Sequence, residues 1–112
     1  MPYSQERLDR LFQALSDPTR RAVLERLSTG ATPMKELARP FRMALPSFAQ
    51  HLDMLEECGL VRSIKKGRIR TYRLVPQPLA AAERWISERR AHWERRLDQL
   101  DEYLKQMKER MP

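Results

Sequence analysis

The sequence contains few of the residues that common catalytic and metal sites require. Cys58 is the only cysteine among 112 residues, and glycine occurs three times. A lone cysteine excludes a disulfide framework and a cysteine-rich zinc site, while three glycines leave no phosphate-cradling loop. We find neither a paired-carboxylate signal nor a Ser/Cys–His–acid arrangement. We therefore expect a protein that is not an enzyme and that holds no metal or cofactor.

Long apolar runs are missing as well. No stretch approaches the ~20 apolar residues of a membrane span, and the first five residues contain no apolar signal-peptide core. We therefore expect a cytoplasmic protein with no membrane partner. Hydrophobic residues still make up 41% of the chain, which is enough for the small core of a single structural domain.

Acidic residues are absent from one segment, and this absence explains most of the net charge of +7. Residues 1–58 carry eight basic and eight acidic side chains, and residues 76–112 carry eight and seven. Residues 59–75 carry six basic side chains and no acidic one. A block of one sign indicates an anionic partner, of which nucleic acid is the foremost candidate. A merely solvated basic loop is the alternative.

Four helix-start signals precede the basic block. Ser4, Asp17 and Thr32 are suitable N-cap residues, and the last two are each followed by a proline; Leu45-Pro46 opens the fourth helix. These signals predict helices over about residues 5–15, 18–28, 34–39 and 45–58, with Gly30 and Gly59 ending the second and the fourth. The predicted buried faces are Leu8, Leu11, Phe12 and Leu15, then Val23, Leu24 and Leu27, then Met34, Leu37 and Ala38, and finally Phe48, Leu52 and Leu55.

The basic block itself predicts a hairpin. Residues 60–65 and 68–74 are rich in β-branched side chains, and Lys66-Gly67 is a suitable two-residue turn. The third and fourth helices, joined by a tight connection, form a helix-turn-helix. The fold class is therefore mainly α with a small β-hairpin, a winged helix-turn-helix in the order α-α-α-α-β-β-α. The candidate DNA-binding residues are Ser47, Gln50 and His51 on the fourth helix and Lys65, Lys66, Arg68 and Arg70 on the hairpin.

These candidates have different expected roles. Gln50 is suited to an adenine edge, and the hairpin cations are suited to phosphates, with Arg68 as a candidate for the minor groove. His51 precedes an apolar position, so a packing role is an equal alternative. We expect Arg20 to serve within the fold.

The sequence divides into two segments of one structural domain. Residues 1–75 form the winged helix-turn-helix, and residues 76–112 predict one long C-terminal helix. About 32 helical residues span roughly 48 Å, which exceeds the diameter of roughly 34 Å expected for a chain of this size. The apolar heptad stripe of this helix therefore favours a homodimer over packing against the first helix. Trp85 and Trp93 are suited to packing or, as the alternative, to an inducer pocket. The expected dimer interface is Leu8, Leu11, Trp93, Leu97, Leu100, Leu104 and Met107.

Three motifs in this order resemble those of ArsR-type winged-helix repressors, also called the ArsR/SmtB family. Residues 15–21 (LSDPTRR) resemble the opening of that family. His51-Leu52 and residues 58–61 (CGLV) resemble its recognition helix and the exit from it, and Gly67-Arg68 with residues 72–74 (YRL) resembles its wing. The resemblance covers about residues 5–75. It implies a bacterial homodimer that binds operator DNA and dissociates when an inducer arrives; the sequence names no inducer.

The sequence departs from the metal-sensing members of that family. Residues 34–39 contain no Cys-x-Cys pair, and His92 with Glu88 does not complete a zinc site. Ala44 stands where family members often have Ser or Thr as the helix cap, and Ala49 stands where they often have Ser. The resemblance therefore implies the subgroup without the known metal ligands.

Taken together, the residues predict a homodimeric repressor that binds a pseudo-palindromic operator through its fourth helix and a basic wing. The alternative is a winged-helix module that binds a protein and does not read DNA.

Overall fold

Five helices and three strands follow one another in residues 4–111, the part of the chain that the computed structural model describes. Residues 1–3 and 112, which the predicted segments 1–75 and 76–112 include, lie outside that part. No helix among the described residues is both long and apolar enough to cross a membrane. The elements are α1 (Gln5–Leu15), α2 (Pro18–Leu27), β1 (Thr32–Pro33), α3 (Met34–Ala38), α4 (Leu45–Glu57), β2 (Val61–Lys66), β3 (Ile69–Leu74) and α5 (Gln77–Arg110).

The first two helices begin at the expected caps. Ser4 Oγ accepts a hydrogen bond from the Arg7 amide at 3.2 Å, and Asp17 Oδ2 accepts one from the Arg20 amide at 3.0 Å. Each bond satisfies an amide that has no partner within its helix. Pro18 follows Asp17 at the first helical position, where its missing N–H costs nothing.

Thr32 does not cap α3, and this part of the prediction was wrong. Thr32 belongs to the short strand β1, where it is buried and pairs with Tyr72 of β3. Its hydroxyl donates to the Gly30 carbonyl at 3.0 Å, and Pro33 occupies the N-cap position of α3, which has no side-chain cap. The sheet therefore has three antiparallel strands in the order β1-β3-β2 and is one strand larger than predicted.

The hairpin is present, but its turn lies one residue later than predicted. Lys66 pairs with Ile69, so Gly67 and Arg68 form the two-residue turn. Gly67 has φ +61°, and no non-glycine residue in the described chain has a positive φ. A left-handed first turn residue followed by an ordinary one is the pattern of a type II′ turn, in which glycine comes first.

The core lies where α1, α2 and α4 meet the base of the hairpin. Phe48, Leu52 and Leu55 of α4 have no exposed surface, so this helix is buried along one whole face. The remaining buried apolar side chains are Leu11, Ala14, Val23, Leu24, Leu27, Leu37, Leu60, Val61, Tyr72 and Ala82. The helical spacing of apolar residues predicted eight of these thirteen core positions (Leu11, Val23, Leu24, Leu27, Leu37, Phe48, Leu52 and Leu55).

The C-terminal helix α5 has 34 residues and contains Pro78 in its first turn. The chain divides after Ala82 into two compact units, so the first residues of α5 belong to the first unit. Pro78 and Ala82 are its buried residues, and from Glu88 to Met111 every side chain of the second unit is exposed.

Candidate nucleic-acid interface

The connection between α3 and α4 is held by an aromatic contact. The rings of Phe41 and Phe48 lie 5.3 Å apart between centroids and are tilted by 30°. Because Phe48 is fixed in the core, this contact sets where α4 begins. The helix starts after Ala44, which supplies no side-chain cap, with Pro46 in its first turn.

The exposed face of α4 changes character along its length. Ser47 and Gln50, both predicted to contact DNA, are exposed in the first half of the helix. Asp53 and Glu57 are exposed in the second half, and the helix contains no lysine or arginine. Phosphates repel the acidic half, so the N-terminal half is the part of α4 suited to approach a duplex.

His51, the third predicted contact on α4, lies in a cluster with two residues of the α1–α2 junction. Its Nδ1 is 3.1 Å from Arg20 Nη1 and 3.7 Å from Asp17 Oδ2. Arginine can only donate, so a hydrogen bond between these two atoms requires a neutral ring with its proton on Nε2, whereas a protonated ring would direct its Nδ1–H toward Asp17. The side chain is 23% exposed. This position favours the packing role that sequence reasoning kept as the alternative.

Arg20 is the centre of that cluster. Its Nε donates to the Ala14 carbonyl at 2.8 Å and its Nη2 to the Gln13 carbonyl at 3.0 Å. Both carbonyls belong to the last turn of α1, and that of Gln13 also accepts from the Ser16 amide at 3.2 Å and from the Ser16 hydroxyl at 2.6 Å. Asp17 completes the junction, and the hydrogen bond from the Arg20 amide is the main cause that lowers the pKa of its carboxyl, with His51 and Arg20 charges acting in the same direction.

The wing is defined as β2, β3 and their turn. It places positive side chains opposite one another, which destabilises the hairpin. Arg62 lies directly opposite Arg73, and Lys65 lies opposite Arg70. Like charges in directly opposed positions destabilise a hairpin. A bound polyanion would remove this repulsion. Lys65, Lys66, Arg68 and Arg70, the four predicted wing contacts, are all exposed.

A chain of hydrogen bonds ties the wing to α4. Glu56 Oε2 accepts from the Ser63 amide at 3.2 Å and from the Ser63 hydroxyl at 2.8 Å. The same hydroxyl accepts from Arg70 Nη1 at 2.9 Å. The three residues lie seven positions apart from one to the next, and no local motif indicates that they meet. The bonds hold one wing guanidinium at a fixed place relative to the helix.

A groove of about 460 Å³ runs between α3, the start of α4 and the wing. Leu45 and Ile69 contribute apolar surface to it, and Arg39, Arg68 and Arg70 contribute positive charge. Sequence reasoning missed Arg39. The available signal was its place in the connection that leads into α4, together with exposed Arg42.

The predicted dimer residues fall into two groups. Leu11 is 1% exposed and packs in the core of its own chain, so it presents almost no surface of its own. Leu8 is half-buried against the same core. The five predicted residues of α5 form an exposed apolar stripe that consists of Trp93, Leu97, Leu100, Leu104 and Met107.

The described residues provide neither a cluster of metal ligands nor an activated cysteine. No group of three or more His, Cys, Asp or Glu side chains there could hold a metal ion. The Sγ of Cys58 lies 3.4 Å from the Arg10 carbonyl, and burial raises the pKa of its thiol. A raised pKa lowers the fraction of reactive thiolate.

A helix-turn-helix followed by an exposed basic hairpin defines a winged helix-turn-helix DNA-binding domain. A family profile described as a helix-turn-helix domain matches residues 15–64.

Similar proteins identify the family within the class of winged helix-turn-helix domains. The chain is 45% identical over 73 residues to the HTH-type transcriptional regulator Rv2034 of Mycobacterium tuberculosis, covering 65% of this chain and 68% of that protein. It is 30% identical over 79 residues to the transcriptional repressor SdpR of Bacillus subtilis, covering 70% and 88%. A crystal structure of the ArsR family transcriptional regulator RHA00566 superposes with a TM-score of 0.80 at 50% identity, covering 84% of this chain and 97% of that one.

The chain belongs to the ArsR family of transcriptional regulators. The family resemblance and the winged fold expected from the sequence are thereby confirmed. These relatives are regulators rather than enzymes, which also confirms the expected class of function.

Proposed function

We propose that this chain is a homodimeric repressor that binds a pseudo-palindromic operator through α4 and the wing. The observation that carries the proposal is the unmixed positive charge of the wing beside the charge-free first half of α4. The wing supplies phosphate contacts that are independent of sequence, and the helix supplies contacts to base edges. The name of the repressor SdpR supports the direction of regulation.

Two copies of the chain are part of the proposal. The stripe of α5 continues from Trp93 to Met111, and Leu97, Leu100 and Leu104 are each at least half exposed. Exposed apolar side chains at heptad spacing are stabilised when a second helix covers them. A two-fold dimer presents two α4 helices and two wings, so its half-sites lie about one or two helical turns apart.

The test is binding of fluorescent duplex DNA from upstream of the gene, measured by anisotropy over a salt series. With three or four phosphate contacts per subunit, log K falls against log salt with a slope of roughly −5 to −7. Arg68→Ala or Lys66→Ala should weaken binding to all duplexes and reduce the slope, since each removes phosphate contacts. Arg95→Ala, which removes the same charge from α5, should change neither.

Gln50→Ala should behave differently from the wing variants. It should relax preference at one base pair and leave binding to unrelated DNA unchanged, because a bidentate contact to adenine discriminates between bases. Equal losses on specific and unrelated duplexes would refute the reading role of Gln50. A salt response that is flat for the wild type would refute DNA binding and favour the protein-interaction module.

A further inference from the structure

The first turn of α4 presents an apolar surface where other residue types would donate hydrogen bonds. Ala44, Leu45 and Pro46 precede the first polar side chain of the helix, Ser47. Leu45 is 51% exposed although it is a large apolar residue. Ala49 lies one helical turn further on, on the same flank as Leu45, and is partly buried.

The residues around Leu45 indicate what kind of ligand binds beside it. Leu45 and Ile69, which is 59% exposed, lie in the same groove as Arg39, Arg68 and Arg70. Lys35 and one carboxylate, Glu36, also line the groove, so four cations against one anion favour a polyanion as its occupant. The groove is also continuous with the wing cations that the proposed function assigns to phosphates.

Duplex DNA offers one apolar group in its major groove, the C5 methyl of thymine. An apolar side chain on the first turn of a recognition helix is stabilised when it loses water against such a group. Polar base edges would instead lose their hydrogen bonds to water against Leu45.

We propose that Leu45 is a specificity-determining residue that reads the methyl group of a thymine, a proposal that rests on the proposed function. Leu45 precedes Gln50 by five residues, which is about 7.5 Å along the helix and about 140° around it. The two side chains therefore lie on different sides of α4, and the thymine that Leu45 contacts is not in the base pair that Gln50 contacts. The guanidinium groups of the groove hold the flanking phosphates.

The test compares thymine with deoxyuridine, which lacks only the methyl group. A preferred duplex is first enriched with the full chain from a random double-stranded library, and each thymine in it is then replaced singly by deoxyuridine. We expect one position in each half-site where the replacement weakens wild-type binding about three- to fivefold, the effect of one buried methyl group. Leu45→Ala should weaken binding to the thymine duplex by a similar factor and should not respond to deoxyuridine at that position.

Ile64→Ala is the matched control, because Ile64 is an exposed apolar residue of the wing that does not line the groove. It should retain the full deoxyuridine effect. The inference is overturned, with the proposed function intact, if no thymine is sensitive in the wild type or if the sensitivity persists in Leu45→Ala. If the library yields no preferred sequence, the proposed function fails and the inference fails with it.

Discussion

Asp17 shows how one side chain serves both the fold and the placement of α4. It caps α2 through the Arg20 amide and lies 3.7 Å from His51 of α4. Its cap role was predictable, because Asp before Pro at the start of an apolar-periodic run is a local signal. Its proximity to His51 was not predictable, because that contact joins residues 34 positions apart and depends on how α2 and α4 pack.

Asp17→Ala should lower the free energy of unfolding by about 1 kcal/mol, the usual effect of losing an N-cap. Urea denaturation followed by circular dichroism measures this loss. Asp9→Ala, which removes an exposed carboxylate from α1, should stay within about 0.5 kcal/mol of the wild type. If both variants lose the same stability, the cap has no special role.

The pH dependence of the same residue has a definite sign. Because the pKa of Asp17 is lowered in the folded protein, chiefly by the hydrogen bond from the Arg20 amide, its charged form stabilises the fold. That contribution is fully present above the ordinary value of 3.8 and is lost as the pH falls through the lower folded value. Asp17→Asn retains an acceptor but does not titrate, so its stability difference from the wild type should be constant above pH 5 and should shift against the wild type below pH 4.

At the scale of elements, the wing shows which part of the fold local sequence can predict. The two strands were predicted from β-branched residues, and their register required one correction. Lys66-Gly67 and Gly67-Arg68 are both reasonable turns, and the choice depends on whether glycine occupies the second or the first turn position. Strand β1 was missed because two residues carry too little local signal, and its pairing with β3 spans some 40 positions.

Gly67→Ala should destabilise the wing through the backbone alone. A Cβ at this position would meet no atom within 4 Å, while its φ of +61° is unfavourable for a side chain by about 1–2 kcal/mol. We expect faster amide hydrogen exchange in β2 and β3. Gly67→Asn should not restore the slower exchange, because the first position of a type II′ turn favours glycine, whereas asparagine suits a type I′ turn. Equal exchange rates in the wild type and the Ala variant would contradict the assigned turn.

Local sequence also predicted some residues of the candidate interface and missed those whose positions depend on tertiary packing. Ser47, Gln50 and the four wing cations lie exposed, as expected from a polar helix start and a block of positive charge. Arg39 and the Glu56–Ser63–Arg70 chain of hydrogen bonds were not found, since they depend on how the hairpin folds against α3 and α4. Leu11 packs in the core of its own chain, and helical periodicity alone does not distinguish a core position on α1 from an interface position.

At the scale of the whole molecule, the main test is whether two chains form a dimer through the apolar stripe of α5. Leu97→Glu with Leu100→Glu places two charges in the seam, where they would lose their hydration in a dimer. In sedimentation velocity at micromolar concentration, we expect the wild type as a dimer and the double variant as a monomer. Operator affinity should fall about tenfold or more, since a monomer contacts one half-site.

Gln99→Glu is the matched control for the double variant. It adds one charge to α5 at a position outside the stripe and should leave the dimer unchanged. A double variant that still sediments as a dimer would show that another surface joins the subunits. A wild type that sediments as a monomer would remove the dimer from the proposed function.

The wing is positively charged and the second half of α4 is acidic, and this difference affects how the protein searches DNA for its operator. Contacts made mainly by wing cations allow a regulator to slide along a duplex, because counterions are exchanged without regard to sequence. Asp53 and Glu57 meanwhile oppose deep insertion of α4 wherever the bases offer no compensating contacts. In the proposed function, arrival at a site therefore depends on the wing, and the residence time there depends on α4. Changes in α4 can thus retarget the regulator without slowing its one-dimensional diffusion.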